Sequence, residues 1–183
     1  MSVRVYAILY REDDPSKNTA LKMVREGLAQ VIKKRDLRGT PLVLNPFSKV
    51  YLGHWLREWV ARFGIVVVDA SWRMLSGVKF KGIKGVHVKL PPLLAGNPIN
   101  YAKPCILSSV EAVAAALYIT GFTELYEKYL GLYKWMSTFH HLNAELLEVY
   151  SKAENVDELV KTIVDYWGDM DPCDISLTRV IEK

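Results

Sequence analysis

The chain has 183 residues, half of them hydrophobic, with 24 Lys and Arg, 20 Asp and Glu, and two cysteines. Its mean hydropathy of +0.06 excludes a disordered or membrane-embedded chain and fits one globular domain or two small ones. The net charge of +4 conceals an asymmetry: residues 1–110 hold 18 basic against 7 acidic residues, and residues 111–183 hold 6 against 13.

The predicted elements begin with a strand, VRVYAILY (Val3 to Tyr10), rich in β-branched and aromatic residues. A turn, Asp14-Pro15-Ser16-Lys17-Asn18-Thr19, leads into a helix expected over Lys17 to Arg35, with Leu21, Val24, Leu28 and Val31 at three- and four-residue spacing. The basic run Lys33, Lys34, Arg35 then falls at its C-terminal end, where the helix dipole favours cations. A short strand, PLVLNP, precedes a second helix expected over about Ser48 to Phe63 and ended by Gly64. IVVVDAS is an unalternated apolar run, as in a central parallel strand buried on both faces. GVHVKL (Gly85 to Leu90) alternates and reads as a further strand. The pattern is α/β with a mostly parallel sheet.

From Ser108 onward the chain reads as helical. Ser108 and Glu111 have capping-box spacing, and Gly121 stops that helix. Further helices are expected at about Glu124 to Leu130, Lys134 to Tyr150 and Val156 to Trp167, with the last dozen residues peripheral. The expected division is an α/β domain over 1–90 and a helical domain over 91–183. The segment MSVRVYAILYREDD has no apolar core or cleavage site of a signal peptide. The longest nearly uncharged helical stretch, about Ala112 to Phe122, is far shorter than the ~20 residues of a membrane span. A cytoplasmic protein is expected.

Cys105 and Cys173 lack metal-ligand spacing, and a reducing compartment argues against a disulfide. The four histidines make no HxxxH pattern, so no metal is expected. GxG and GxSxG are both absent, which argues against a dinucleotide fingerprint and a nucleophile elbow. Between Asp69 and Glu111 there is no acidic residue, yet Arg73, Lys79, Lys81, Lys84, Lys89 and Lys103 are basic. A solvated face is the plain explanation; phosphate is the other, because solubilising surfaces normally mix both signs.

Asp69 closes the apolar strand, and ligands of open parallel sheets bind beyond the carboxyl ends of strands. It serves equally well as the cap of the following turn. Trp72, three residues on, is either core or a ligand platform. Thr19 and Ser109 both fall at helix starts, where unpaired amides can hold a carboxylate. The stretch Leu90 to Ala116, LPPLLAGNPINYAKPCILSSVEAVAAA, is apolar and stiffened by Pro91, Pro92, Pro98 and Pro104. Such a loop is either buried core or the wall of a pocket for a flat hydrophobic ligand.

DPSKNT, LxP at Leu44 to Pro46, VDASW, LPPLLAGNPINY, LSSVEAVAAALYITGF and YKWMSTFHHLNAELLEVY occur in the order and approximate spacing of one pattern. Over about residues 3 to 167 the chain resembles the ribosome-biogenesis family of small-subunit rRNA aminocarboxypropyltransferases, in its short archaeal-type form. The resemblance implies an N-terminal α/β domain, a helical C-terminal domain and a SPOUT-like trefoil knot at the cofactor site. It implies transfer of the 3-amino-3-carboxypropyl group of S-adenosylmethionine (SAM) to N3 of a uridine- or pseudouridine-type base in small-subunit rRNA, releasing methylthioadenosine, by a monomeric enzyme.

Carried over residue by residue, the resemblance expects the amides of Thr19 and Ser109 to hold the amino-acid carboxylate and the backbone of Val68 to meet the ribose. Leu90 and Cys105 are expected to read the adenine edge through main-chain groups, while Leu44, Pro46, Trp72, Leu107 and Ala112 pack around it. Trp72 would shield the methyl group and favour the sulfonium by cation–π attraction, ~0.5–2 kcal/mol. Asp69 is the candidate catalytic carboxylate; with an ordinary pKa of about 3.9 it is a poor base at neutral pH, so it is expected to orient the acceptor. Arg73, Lys79, Lys81, Lys84 and Lys89 are the expected phosphate contacts. Asp13 and Asn18 stand where relatives often carry cysteines, and Ala70 replaces a common cysteine in DCSW. Two alternatives share much of this reading: a SAM-dependent rRNA methyltransferase, and a non-catalytic rRNA-binding assembly factor.

Overall fold

The computed structural model describes residues 2–11 and 18–174. Among these, five strands form one sheet: β1 (Val5–Leu9), β2 (Gln30–Val31), β3 (Leu42–Leu44), β4 (Ile65–Asp69) and β5 (Val86–Val88). The order is β2-β1-β4-β3-β5 and every pairing is parallel. β4 pairs with β1 along its whole length, Val5 opposite Ile65 through Leu9 opposite Asp69. Side chains of these strands alternate between two apolar clusters. Ala7, Leu42, Leu44, Ile65 and Val67 face the larger one; Ile8, Val43 and Val66 face a smaller one completed by Leu37, Phe80 and Ile83. Burial on both faces is why the run Ile65–Val68 shows no polar alternation.

The larger face is covered by α1 (Thr19–Arg25), α2 (Arg57–Phe63), α3 (Ser109–Ile119), α4 (Thr123–Leu130), α5 (Met136–Lys152) and α6 (Val156–Trp167). α3 is the pivot. Its small residues Ala114, Ala115 and Ala116 are fully buried, which lets it pack against β4, α1, α4 and α5 together. One apolar cluster runs from Val3 to Ile163 across both halves of the sequence. No helix among the described residues is long and apolar enough to cross a membrane.

Three expectations need correction. The first helix ends at Arg25, not Arg35: Gly27 adopts φ 75°, a left-handed turn glycine favours, and Gln30–Val31 then pair with Tyr6 and Ala7 as β2. Lys34 to Asp36 form a separate 3-10 turn. The second helix begins at Arg57, after a 3-10 turn at His54–Leu56, because Tyr51 is held in an extended bridge to Lys89. Finally, Cys105 and Cys173 are joined by a disulfide, with Cα atoms 5.4 Å apart. Compartment alone suggested free thiols, but the fold brings the pair within bonding reach. Within the expected DPSKNT turn, Asp14 to Lys17 lie outside the described residues, as do Asp13 and most of the last dozen.

A cavity at the carboxyl ends of the strands

A cavity of about 1280 Å³ opens at the carboxyl edge of the sheet. From β1 the chain moves outward to β2, then crosses to β3 on the other side of the sheet, the kind of switch point at which open α/β sheets hold ligands. The structure brings Thr19, Leu44, Pro46, Val68, Asp69, Trp72, Leu90, Cys105, Leu107, Ser109 and Ala112 to the wall of this one cavity. These positions span ninety-odd residues of sequence.

One end of the cavity is built where β4, α1 and α3 converge. Asp69, the last residue of β4, accepts hydrogen bonds from Asn18 Nδ2 at 2.5 Å and from Ser109 Oγ at 3.1 Å. Asn18 is almost wholly buried and also caps α1, its Oδ1 accepting from the Leu21 amide. The Val110 amide, in the first turn of α3, donates to Thr19 Oγ1 at 3.3 Å. Two helix starts therefore meet beside one carboxylate, and the first amides of a helix have no intrahelical partner. The DPSKNT turn signalled a helix start; nothing local signalled that Asn18 would reach a carboxylate 51 residues away.

The opposite end is formed by Leu44 and Pro46 after β3, and by Lys89, Leu90, Cys105 and Cys173. The Cys105 amide donates to the Leu93 carbonyl at 2.9 Å, so the carbonyl is the main-chain group of Cys105 left for a ligand. The disulfide ties residue 173 to this wall. Asp171 accepts from Tyr51 Oη and pairs with Lys89 Nζ at 3.4 Å, while Lys89 also lies 4.5 Å from the Tyr51 ring centroid. Burial, reinforced by the bond to Asp171, pushes the Tyr51 phenol above its ordinary pKa. The segment after α6 thus straps this end of the cavity. Between the two ends Trp72, 39% exposed, is fixed by its Nε1 donating to the Leu107 carbonyl at 3.0 Å.

The proline-rich loop turns out to be both core and wall. Pro92 and Leu94 are anchored on α5: the Tyr150 hydroxyl donates to the Pro92 carbonyl at 2.8 Å, and the buried Asn143 bonds both the amide and the carbonyl of Leu94. Pro98 and Ile99 instead border the cavity, Ile99 78% exposed. The turn of the loop is pinned by Glu111. This fully buried carboxylate accepts from the Gly96 amide (2.6 Å), the Asn97 amide (3.0 Å), Asn97 Nδ2 (2.9 Å), the Ser108 amide (2.7 Å) and Ser108 Oγ (2.8 Å). The capping box predicted the Ser108 half of this clamp and missed the loop half. At Gly96 any Cβ would come 2.5 Å from the Phe139 amide nitrogen, so the loop lies directly on α5.

The expected phosphate contacts separate into two groups. Lys79, Lys81 and Lys84 lie on the connection after β4, which alternates buried Phe80 and Ile83 with these outward-facing lysines. Lys79 packs over the Tyr10 ring at 4.9 Å. Lys89 is different, enclosed and paired with Asp171. The Arg73 side chain lies outside what the structure describes.

Comparison with known proteins agrees with this architecture. Residues 42–167 match the model of the family described as "Ribosome biogenesis protein, C-terminal". The 16S rRNA aminocarboxypropyltransferase of Sulfurisphaera tokodaii is 39% identical over 165 residues, covering 89% of this chain and 96% of that protein. The enzyme of the same name from Methanothermobacter thermautotrophicus is 44% identical over 153 residues, covering 82% and 90%. This chain belongs to that ribosome-biogenesis family. A solved structure, that of the SAM-dependent rRNA:acp-transferase Tsr3 from Vulcanisaeta distributa, superposes with a TM-score of 0.87 at 37% identity, covering 98% of both chains. That protein and this chain therefore share one overall fold.

Proposed function

We propose that this protein transfers the 3-amino-3-carboxypropyl group of SAM to N3 of a uridine- or pseudouridine-type base in small-subunit rRNA, releasing methylthioadenosine. The observation that carries this reading is the convergence of Asp69, Asn18, Thr19 and Ser109 at one end of a cavity whose other end is apolar and edged by backbone. That arrangement fits SAM. The amino-acid carboxylate matches the starts of α1 and α3, the cationic centre matches Asp69 and the face of Trp72, and the flat adenine matches Leu44, Pro46, Leu90, Leu107 and Ala112 with the main chain of Cys105. The backbone at Val68 falls to the ribose in between.

Bound there, SAM would supply a sulfonium whose propyl carbon takes the electron pair of the base nitrogen as the N3 proton leaves to solvent water, while the carbon–sulfur pair returns to sulfur. All three carbons on that sulfur are electrophilic, so the residues of the cavity select by position. Trp72, anchored through Leu107, covers the methyl side. Thr19 and Ser109 hold the carboxylate end so that the propyl carbon faces the open mouth. Asp69, oriented by Asn18 and Ser109, accepts a hydrogen bond from the acceptor base and sets its angle. Lys79, Lys81 and Lys84, with Arg73, meet the RNA phosphates, while Lys89 closes the adenine end. The trefoil knot, the division at residue 90, a monomeric state and a cytoplasmic site of action on rRNA or the pre-ribosomal small subunit are further proposals of this reading and rest on the resemblance.

The test uses two SAM preparations, labelled in the methyl group or in the carboxypropyl chain, each incubated with the protein and a small-subunit rRNA hairpin from the decoding region. Carboxypropyl label in the RNA without methyl label is the expected result. Methyl label alone would make the protein a methyltransferase. Neither label, with no SAM binding by calorimetry, would leave an RNA-binding assembly factor.

A further inference from the structure

The cavity is larger than one small ligand needs: about 1280 Å³, against the roughly 300–1,000 Å³ of most small-molecule sites. The residues assigned to SAM leave part of its wall unassigned. Tyr133 and Trp135, in the connection between α4 and α5, line the same cavity. Their rings are stacked, with centroids 4.8 Å apart and planes inclined by 20°. Both are half-buried, resting against the core on one side without being enclosed by it.

Their place along the cavity follows from their neighbours. The first turn of α5 lies on the Gly96 loop, where a Cβ at Gly96 would meet Phe139. On the other side Tyr133 is close enough to Arg25, at the end of α1, for that charge to oppose the upward shift that burial gives its phenol. The pair therefore stands between α1 and the Gly96–Asn97 turn. The pair shares the wall of the cavity with Asp69, Thr19, Ser109 and Asn97.

A nucleobase that leaves its stack to reach a reactive carbon loses stacking energy, and enzymes that act on extruded bases restore it with aromatic faces. We infer that Tyr133 and Trp135 form the platform on which the acceptor base stacks, as a third ring on an existing pair, with its N3 edge turned toward Asp69. This inference rests on the proposed transfer reaction and names how its RNA substrate is held. Core packing alone would explain two aromatic side chains here, but not why both border a cavity already large enough for the donor.

The experiment compares Tyr133→Leu and Trp135→Leu with Tyr133→Phe and Trp135→Phe, which retain a ring. SAM affinity is measured by calorimetry, and KM and kcat are measured with the rRNA hairpin and carboxypropyl-labelled SAM. Loss of one base-stacking contact predicts that each Leu variant raises KM for RNA about 5- to 100-fold, with SAM affinity within about threefold of wild type. The Phe variants should stay near wild type in both. A hairpin carrying 4-thiouridine at the acceptor position should also photo-crosslink the wild-type protein within residues 131–139. Unchanged KM in the Leu variants overturns the inference, as does a parallel loss of SAM affinity, which would make the pair part of the donor site. A wild-type protein that binds SAM and RNA yet transfers no carboxypropyl label overturns the underlying reaction, and the base platform with it.

Discussion

Two carboxylates beside the start of α3 show how differently this fold uses the same chemical group. Glu111 is fully buried and accepts five hydrogen bonds, three from main-chain amides and two from side chains, all within the loop at 96–97 and the cap of α3. Asp69 is half-buried at the edge of the cavity, and its bonds to Asn18 and Ser109 come from side chains at two helix starts. Glu111 is consumed by the fold and acts as a strut. Asp69 is steered by the fold and borders a ligand space.

The largest expected effect breaks the strut. Glu111→Ala leaves five buried or half-buried donors without their acceptor, each such group costing about 1–3 kcal/mol when unpaired, with partial relaxation. A loss of about 3–5 kcal/mol in unfolding free energy is expected. Glu111→Gln, which keeps an acceptor oxygen, should lose roughly half of that. Denaturant unfolding reads both, and a Glu111→Ala protein within 1 kcal/mol of wild type would show that the loop holds itself.

Next in size is the strap at the Cys105–Cys173 end of the cavity. The Cys105–Cys173 bridge closes a segment of 68 residues, and removing a native disulfide of this kind costs about 2–4 kcal/mol. Cys173→Ser should show this in unfolding and should weaken SAM binding more than RNA binding. The same strap carries a pH signature. The Tyr51 pKa is raised by burial first and by Asp171 second, so the folded protein holds that proton more tightly than the unfolded chain. The stability it contributes is complete below the ordinary tyrosine value of about 10 and is lost as pH rises from there toward the raised folded value. Tyr51→Phe should flatten that alkaline decline.

Asp69→Ala then tests the steered carboxylate. Unfolding free energy should fall by only about 1–3 kcal/mol, because the buried Asn18 amide loses its acceptor while other bonds still hold α1 and α3. Turnover at saturating RNA should fall about 10- to 100-fold, the usual consequence of a misplaced reactant. Asn18→Ala should reproduce part of this loss, together with about 1 kcal/mol from the lost helix cap. An Asp69→Ala protein with full turnover would remove the residue from the mechanism.

The contrast also explains what could be read before folding. β4 was legible because a strand buried on both faces needs an unbroken apolar run, and the start of α3 because a capping box spans three residues. Local signals of this kind need no tertiary partner. Glu111 reaching Gly96, Asn18 reaching Asp69, and Cys105 meeting Cys173 all depend on how distant segments are placed, and spacing alone carries none of them. The misread helix at Lys17–Arg35 has a different cause. Leu21, Val24, Leu28 and Val31 do recur at helical intervals, yet Gly27 turns the chain and β1 offers Gln30–Val31 the backbone bonds of a strand. Tertiary pairing overrode a correct periodicity.

The smallest expected effects separate the lysines. Lys81 and Lys84 are exposed on the connection after β4, whereas Lys89 is enclosed against Tyr51 and Asp171. If phosphate contact is the work of the exposed pair, Lys81→Ala and Lys84→Ala should each lower the slope of log affinity against log salt by about 0.7–0.9 and weaken RNA binding a few-fold at moderate salt. Neither should change SAM affinity. Lys89→Ala should do the reverse, leaving the salt slope intact while loosening the strap and lowering SAM affinity. A reduced salt slope in the Lys89 variant would return that residue to the RNA face and make the strap a device that opens when phosphate competes with Asp171 for its charge.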